Sequence, residues 1–221
     1  MNIGERVVRK EFRHPDAANR VSQLVGIYRV LQYKQVPNVD TLHNHTEPTA
    51  PYPHVYLSPV GLAVNPASGR EVMDAVVCVL QALQVRYGLR TRHSYLTSLQ
   101  VMHSDPNPVY HRDIREFNII KKFDGKGWFL IDWSDASTAP TRAAKHLKTY
   151  EHSPAVQEDN HGAEVDIWGV ARYLENLASR VTCRVANPSL VQQMTQRWIA
   201  DPTTTAAAAL DEINVSITSY S

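Results

Sequence analysis

Apolar residues recur at intervals of three or four along several segments of the chain, and this spacing is typical of helices with one buried face. The clearest of these segments follows Ser68 and Glu71, which form the capping-box pattern of a helix N-terminus. Six helices are predicted in this way, and they cover residues 16–36, 68–83, 91–103, 167–177, 190–198 and 204–213.

The spacing changes to that of β-strands in the middle of the chain. Residues 118–123 and 128–133 are rich in β-branched and aromatic side chains, and residues 124–127 (DGKG) between them predict a hairpin turn. A shorter strand is expected at residues 7–10. Residues 40–66 hold five of the 13 prolines, which predicts an irregular connection between two lobes with a single strand at residues 54–57.

Composition narrows the possible classes of protein. The 221 residues include 23 basic and 22 acidic side chains, a net charge of +1 that predicts no attraction to nucleic acid or to a membrane surface. The apolar runs are shorter than the roughly 18 residues of a membrane span, and no signal peptide is apparent. Two cysteines suit a reducing compartment, so an intracellular protein of the cytoplasm or nucleus is expected.

Three polar residues mark a candidate site around the predicted hairpin. Asp113 and Asn118 are five residues apart before the first strand, and Asp132 comes fourteen residues after Asn118 at the end of the second strand. Pairing of the two strands would bring the three side chains to one edge. Asn118 and Asp132 offer oxygen ligands for Mg²⁺, and Asp113 can orient a hydroxyl, as phosphoryl transfer requires.

Five motifs in order resemble those of the eukaryotic protein kinase superfamily. Residues 111–118 (HRDIREFN) match the catalytic loop, and residues 132–134 (DWS) stand where the family has DFG. Residues 166–168 (DIW) are similar to the start of the central helix of the large lobe. Residues 150–155 lie where the activation segment ends, and residues 201–202 (DP) resemble the close of the fold.

This resemblance implies an α+β protein with a kinase-like two-lobe fold. Residues 1–60 would form a partial small lobe and hinge, and residues 61–221 a mainly helical large lobe. Phe117, Trp133 and residues 59–61 suggest a fungal-type or Crinkler-associated branch of the superfamily.

The resemblance also implies roles for individual residues. Asp113 would be the catalytic base, and Arg115 a cation that contacts the transferred phosphate. Asn118 and Asp132 would hold Mg²⁺ and, together with Lys10, bind ATP. Asp166 would be structural, as a buried carboxylate that accepts backbone N–H bonds from the catalytic loop.

Further expectations concern the activation segment and the small lobe. Arg112 would contact a phosphate on the activation segment, with Thr141, Thr149 and Tyr150 as the candidate acceptors. No glutamate lies between Glu11 and Glu47, so Gln23 is the residue of the next helix able to reach Lys10. With nine residues before Lys10, no glycine loop is expected over the phosphates, and the 221-residue form is expected to bind ATP weakly and to transfer phosphate slowly or not detectably.

Three functions follow from these observations. The first is a serine/threonine kinase-like enzyme that uses ATP and Mg²⁺ on a protein substrate. The second is a pseudokinase that acts as a binding or scaffold module. The third is a small-molecule phosphotransferase of the aminoglycoside or choline kinase kind, against which Arg112 and the DIW motif argue.

Overall fold

The computed structural model of the chain describes residues 6–84, 108–180 and 187–218. The strands in these ranges are β1 (Val8–Glu11), β2 (Thr41–His45), β3 (His54–Ser58), β4 (Gly61–Leu62), β5 (Val109–Tyr110), β6 (Ile119–Lys122), β7 (Trp128–Leu130) and β8 (Ser137–Thr138). The helices are α1 (Ala17–Tyr33), α2 (Gly69–Leu83), α3 (Glu164–Ala178), α4 (Pro188–Ala200) and α5 (Ala206–Thr218). The helix predicted for residues 91–103 lies outside the described residues.

The first sheet has the antiparallel order β1-β3-β2 and places Lys10 opposite Val55. The strand predicted at residues 54–57 is confirmed as β3, but the prediction that the rest of residues 40–66 is irregular is wrong, because β2 and β4 also lie there. The prolines do not interrupt these strands, since they occupy the connection between β2 and β3 or follow β3. Proline is excluded from paired strand positions, and here it only bounds them.

Helix α1 packs against β2 and β3 of this sheet. Its apolar stripe, which includes Val21, Leu24 and Leu31, is buried, as the helical spacing predicts. The helix stops before Pro37, and the next residues lead into the sheet. At this point Val39 forms a parallel bridge to Leu130, which joins the first sheet to the hairpin.

The predicted hairpin is present and carries the second sheet, ordered β4-β6-β7. Ile119 pairs with Leu130 and Ile120 with Phe129, and Gly125 and Gly127 of the turn have positive φ angles of 74° and 105°. Such angles are readily adopted by glycine, which has no Cβ. The chain leaves the first sheet at Ser58, the last residue of β3, and enters the second sheet at β4.

Among the remaining described helices, α3 contacts α2 and α4, while α5 packs on α2. One hydrophobic cluster runs from Val55 in β3 through Leu130 in β7 to Ile213 in α5. The helices predicted near residues 68–83, 167–177, 190–198 and 204–213 are confirmed. None of the helices in the described ranges is long and apolar enough to cross a membrane.

Candidate active site

The loop between β5 and β6 carries Asp113 and is bonded to the first turn of α3. Asp166 accepts hydrogen bonds from the backbone N–H groups of His111, at 2.9 Å, and Arg112, at 2.7 Å. Arg112 has a positive φ of 69°, a left-handed conformation uncommon for a side chain of this size. Hydrogen bonds to an ionised acceptor are stronger than neutral ones, and they stabilise this turn. Asp166 therefore has the structural contacts predicted for it.

His111 joins this loop to the strand that leads to Asp132. Its Nε2 lies 2.9 Å from the carbonyl oxygen of Ile131, and its ring meets the Trp133 ring edge-on with centroids 4.6 Å apart. The ring nitrogen Nδ1 accepts the N–H of Asp113 at 3.2 Å. With Nδ1 as acceptor and Nε2 as donor, His111 is a neutral packing residue.

Asn118 connects Asp113 to the second strand, as the hairpin predicts. Its side-chain Nδ2 donates to the backbone oxygen of Asp113 at 2.8 Å and to the carboxylate Oδ2 at 2.9 Å. The backbone carbonyl of Asn118 accepts the N–H of Ile131, the residue before Asp132, at 2.9 Å. Asp113 and Asn118 are therefore in contact, and the backbone pairing brings them near Asp132.

Lys10 reaches the same place from β1. Its Nζ lies 2.6 Å from Asp132 Oδ1 and 2.6 Å from Ser134 Oγ. Burial raises the pKa of Asp132, but the Lys10 charge and the hydrogen bonds from Lys10 and Ser134 outweigh burial and lower it. Both side chains keep about a third of their surface exposed, 31% for Lys10 and 38% for Asp132. They are accessible to an incoming ligand.

Gln23 does not contact Lys10, contrary to the expectation from the sequence. Its side-chain Nε2 donates to the backbone oxygen of Ala136 at 3.2 Å. Because Lys10 already pairs with Asp132, it does not need a partner from α1. Helix α1 is thus tied to the segment after Asp132 through a backbone carbonyl.

Arg115 lies beside Asp113, where the resemblance places it. Its Nε is 2.8 Å from Asp113 Oδ1, a close ion pair without the alignment of a hydrogen bond, and another guanidinium nitrogen bonds Glu151 at 3.1 Å. The side chain is 40% exposed. A phosphate group could therefore compete with Glu151 for the outer face of the guanidinium.

His152 is a neighbour of Asp113 that the sequence did not reveal. Its Nε2 lies 2.8 Å from Asp113 Oδ1, and both side chains are almost fully buried. Burial raises the pKa of Asp113, but the His152 hydrogen bond and the Arg115 charge outweigh burial, so this pKa is below its ordinary value. Burial lowers the pKa of His152, but the contact with Asp113 outweighs burial and raises it.

A second acid that sequence reasoning missed is Asp40, which lies behind Asp132. It is 3% exposed, and its Oδ2 accepts the hydroxyl of Tyr28 at 2.8 Å. Within the described structure, its other oxygen has no hydrogen-bond partner. Burial raises the pKa of Asp40 to about 7, and the negative charge of Asp132 adds to this rise.

Arg112 is engaged by the backbone rather than held ready for a phosphate. Its guanidinium donates to the carbonyl oxygens of Asp135 and Arg142. Thr141 is 2% exposed and donates its hydroxyl to the carbonyl of His161 at 2.6 Å. A buried hydroxyl with a partner is a poor acceptor for a modifying enzyme, so the expectation for Thr141 does not fit this arrangement.

A shallow groove of about 190 Å³ opens beside Arg115. Aromatic side chains contribute much of its wall, and two of them, Phe117 and Tyr150, are 76% and 69% exposed. The groove is lined by Arg115, Glu116, Phe117, Tyr150, Glu151, Trp168, Arg172 and Asn176. It provides space for part of a ligand next to Arg115, the residue that pairs with Asp113.

The donor set suits a magnesium ion that arrives with phosphates. Asn118 uses its Nδ2 on Asp113, and its amide oxygen has no partner in the described part of the chain. Asp132 likewise binds Lys10 and Ser134 through Oδ1 alone. Across the described residues, no cluster of three or more His, Cys, Asp or Glu side chains forms a metal cage. Mg²⁺ commonly takes one or two protein oxygens and completes its shell with water and phosphate.

Comparison with known proteins gives one relevant similarity. The chain is 33% identical over 118 residues to Crinkler effector protein 8 of Phytophthora infestans. The matched region is 52% of this chain but 17% of that protein, so the chain spans a small part of its relative. No family model matches the chain. The similarity supports the predicted relationship to Crinkler proteins.

Proposed function

We propose that the chain is a protein kinase-like phosphotransferase that moves the γ-phosphate of ATP to a serine or threonine hydroxyl of a protein. The main support is the contact between Lys10 and Asp132, which are 122 residues apart and meet at 2.6 Å. Asp113 and Asn118 are bonded to each other on the loop before β6, and the backbone of Asn118 pairs with Ile131, the residue before Asp132. These two bonded pairs, linked through the backbone of Asn118 and Ile131, supply the kinds of polar group that phosphoryl transfer needs.

On the nucleotide side, the chain supplies one cation and two oxygen ligands. The Lys10 ammonium is partly exposed and can bind phosphate oxygens. The second oxygen of Asp132 and the amide oxygen of Asn118 would hold Mg²⁺. The chemistry that Mg²⁺ would supply there is neutralisation of the negative charge on the phosphates.

On the acceptor side, Asp113 has one oxygen left for a substrate. Its Oδ1 faces both His152 and Arg115, whereas Oδ2 accepts a single bond from Asn118. A carboxylate oxygen has two lone pairs, so a substrate hydroxyl can donate to Oδ2. The lowered pKa keeps Asp113 ionised at neutral pH, which suits the orientation of a hydroxyl. Arg115 would then stabilise the transferring phosphate.

The test compares the parent with Asp132→Ala and with the exposed-site control Asp211→Ala. ATP binding is measured by calorimetry with and without Mg²⁺, and phosphate transfer to a generic protein substrate is measured with radiolabelled ATP. We expect Mg²⁺ to strengthen ATP binding in the parent and the control, and transfer in both. Asp132→Ala should lose the strengthening and at least about 10²-fold of the transfer rate, because it removes a metal ligand.

The outcomes separate the candidate functions. Equal effects of Mg²⁺ on the parent and on Asp132→Ala would contradict the metal assignment. Binding of ATP by the parent without transfer would contradict the phosphotransferase proposal and favour the pseudokinase alternative. Transfer to a sugar or amine and not to protein would favour a small-molecule phosphotransferase.

A further inference from the structure

The segment that follows Lys148 folds back over the catalytic loop and places His152 against Asp113. The pair is buried from solvent, with 6% of the His152 side chain and 5% of the Asp113 side chain exposed. The other ring nitrogen of His152, Nδ1, lies 2.9 Å from the carbonyl oxygen of Lys148. Both ring nitrogens therefore face oxygen atoms at hydrogen-bond distance.

These two contacts determine where the protons are. A backbone carbonyl can only accept, so Nδ1 must carry a hydrogen. An ionised carboxylate can also only accept, so Nε2 must carry a second hydrogen to bond Asp113. A neutral His152 with its proton on Nδ1 would direct a lone pair at Asp113 Oδ1. The observed contact therefore requires the imidazolium form of His152.

The charged groups that act on His152 come from two elements. Asp113 and Arg115 lie on the catalytic loop, with Arg115 Nε 2.8 Å from the same carboxylate oxygen that His152 contacts. Glu151, on the segment of His152 itself, binds the outer face of Arg115. His111 also lies beside Asp113. Its Nδ1 accepts the Asp113 N–H and so carries no proton, which means that His111 adds no charge near His152.

We propose that the His152 imidazolium is a positioning residue for Asp113, which fixes Oδ1 so that Oδ2 faces the substrate hydroxyl. This inference rests on the proposed function of Asp113 as the group that orients this hydroxyl. Without the Nε2 bond, the carboxylate can rotate about its Cβ–Cγ bond and lose its alignment with the hydroxyl. As pH rises and His152 loses its proton, the bond is lost and the rate of phosphate transfer falls.

The first experiment measures kcat and KM for ATP between pH 6 and pH 10. His152→Ala should lower kcat by about 10²-fold, the cost of a misplaced reacting group, with little change in KM. His152→Gln should restore part of kcat, because its side-chain amide donates a hydrogen bond in place of Nε2. Since glutamine does not titrate, this variant should also lack the alkaline fall in rate that the parent shows.

The matched control is His161→Ala. His161 is a buried histidine of the same segment, 6% exposed, and its Nδ1 lies 2.7 Å from the carbonyl of Glu158. Its Nε2 has no hydrogen-bond partner in the described structure. It reproduces the burial and the carbonyl contact of His152 without the carboxylate. We expect this control to keep the kcat and the pH profile of the parent.

A second experiment does not depend on activity. Nitrogen NMR of labelled histidine in the parent should show both ring nitrogens of His152 protonated at pH 7. In Asp113→Asn, the pKa of His152 should fall, because the carboxylate that stabilises its charge is gone. A neutral His152 in the parent, or the same pKa in both proteins, would overturn the positioning role.

The two experiments distinguish the failure of this inference from the failure of the proposed function. If the parent transfers phosphate and His152→Ala keeps its kcat, the positioning role alone is wrong. If the two residues are coupled by NMR but the parent transfers no phosphate, the proposed function is wrong, and the positioning role is overturned with it.

Discussion

At the residue scale, two acidic residues of the candidate site, Asp132 and Asp40, differ in how far they are buried from solvent. Asp132 is partly exposed and paired with Lys10, whereas Asp40 is buried and bonded to the Tyr28 hydroxyl. A carboxylate removed from water without a cation loses much of its hydration, so the protonated form is favoured. For this reason the two acids, although neighbours, have pKa values shifted in opposite directions.

We predict that the parent loses stability as pH rises because the buried Asp40 must ionise, and that Asp40→Asn does not show this loss. Unfolded Asp40 ionises near its ordinary pKa of 3.8, but folded Asp40 ionises near about 7. Between these values the unfolded state loses its proton first, so the stability of the parent falls as pH rises. The free energy of unfolding of the variant, relative to that of the parent, should therefore rise by on the order of 2 kcal/mol from pH 5 to pH 8.

Urea unfolding at pH 5 and pH 8 measures this difference, with the exposed-site variant Asp211→Asn as the control. The control should show the same offset from the parent at both pH values. A pH-independent offset for Asp40→Asn as well would mean that Asp40 ionises in the folded protein as it does in the unfolded chain.

Some residues of the site could be read from the sequence, and others could not. Asp113, Asn118 and Asp132 are close in sequence and joined by a hairpin, so local structure is enough to bring them together. His152 and Asp113 are 39 residues apart, and their contact depends on how an irregular segment folds back. No spacing rule encodes such a contact. Asp40 was missed because its surroundings were taken for an irregular connection.

At the element scale, the second sheet depends on a glycine at the start of β4. A Cβ at position 61 would lie 2.3 Å from Ile120 Cγ2 and 2.6 Å from the backbone oxygen of Lys121. The backbone oxygen cannot move without breaking the pairing of β4 with β6. By contrast, a Cβ at Gly26, in the middle of α1, would have no neighbour within 4 Å.

This contrast gives a paired prediction. Gly61→Ala should destabilise the protein by about 1 to 3 kcal/mol, the usual cost of overpacking. Gly26→Ala should stabilise it by roughly 0.5 to 1 kcal/mol, because alanine has the higher helix propensity. Thermal unfolding of the two variants and the parent measures both changes. A stabilising Gly61→Ala would show that β4 can shift without cost.

The elements were predictable to different degrees for physical reasons. Helices α1, α2 and α3 have a continuous apolar stripe, and the hairpin has a glycine-containing turn, so each carries a local signal. Strand β2 (Thr41–His45, TLHNH) has little apolar content and is stabilised by its pairing with β3. Its formation depends on a partner that sequence periodicity does not reveal.

At the scale of the whole molecule, α3 connects the helical core to the catalytic loop through Asp166. In Asp166→Asn, one accepting oxygen becomes an NH₂ group that faces a backbone N–H. We predict a loss of about 1 to 3 kcal/mol of stability, because a buried donor is left unsatisfied. The backbone amide that faces the new NH₂ group, of His111 or of Arg112, should also exchange hydrogen faster, since it loses its acceptor.

Hydrogen exchange by NMR and thermal unfolding measure these effects. The control is Glu164→Gln in the first turn of the same helix, since Glu164 accepts the N–H of nearby Gly162 and not one from the catalytic loop. Unchanged exchange at His111 and Arg112 in Asp166→Asn would contradict the anchoring role. The predicted kinase-like arrangement of the whole chain stays a proposal that the transfer experiments address.

The close packing of α3 on the catalytic loop has a consequence for how the site adapts to a ligand. A Cβ at Gly169 would lie 2.9 Å from both the Cβ and the backbone oxygen of Ile114, so helix and loop touch with no space between them. The backbone next to Asp113 therefore has no space to move toward α3 when a ligand binds. Adjustment is easier at Lys10, whose partly exposed side chain can exchange Asp132 for a phosphate. In the proposed reaction, the rigid side would set the alignment of the acceptor hydroxyl, and the adjustable side would accommodate the phosphate donor.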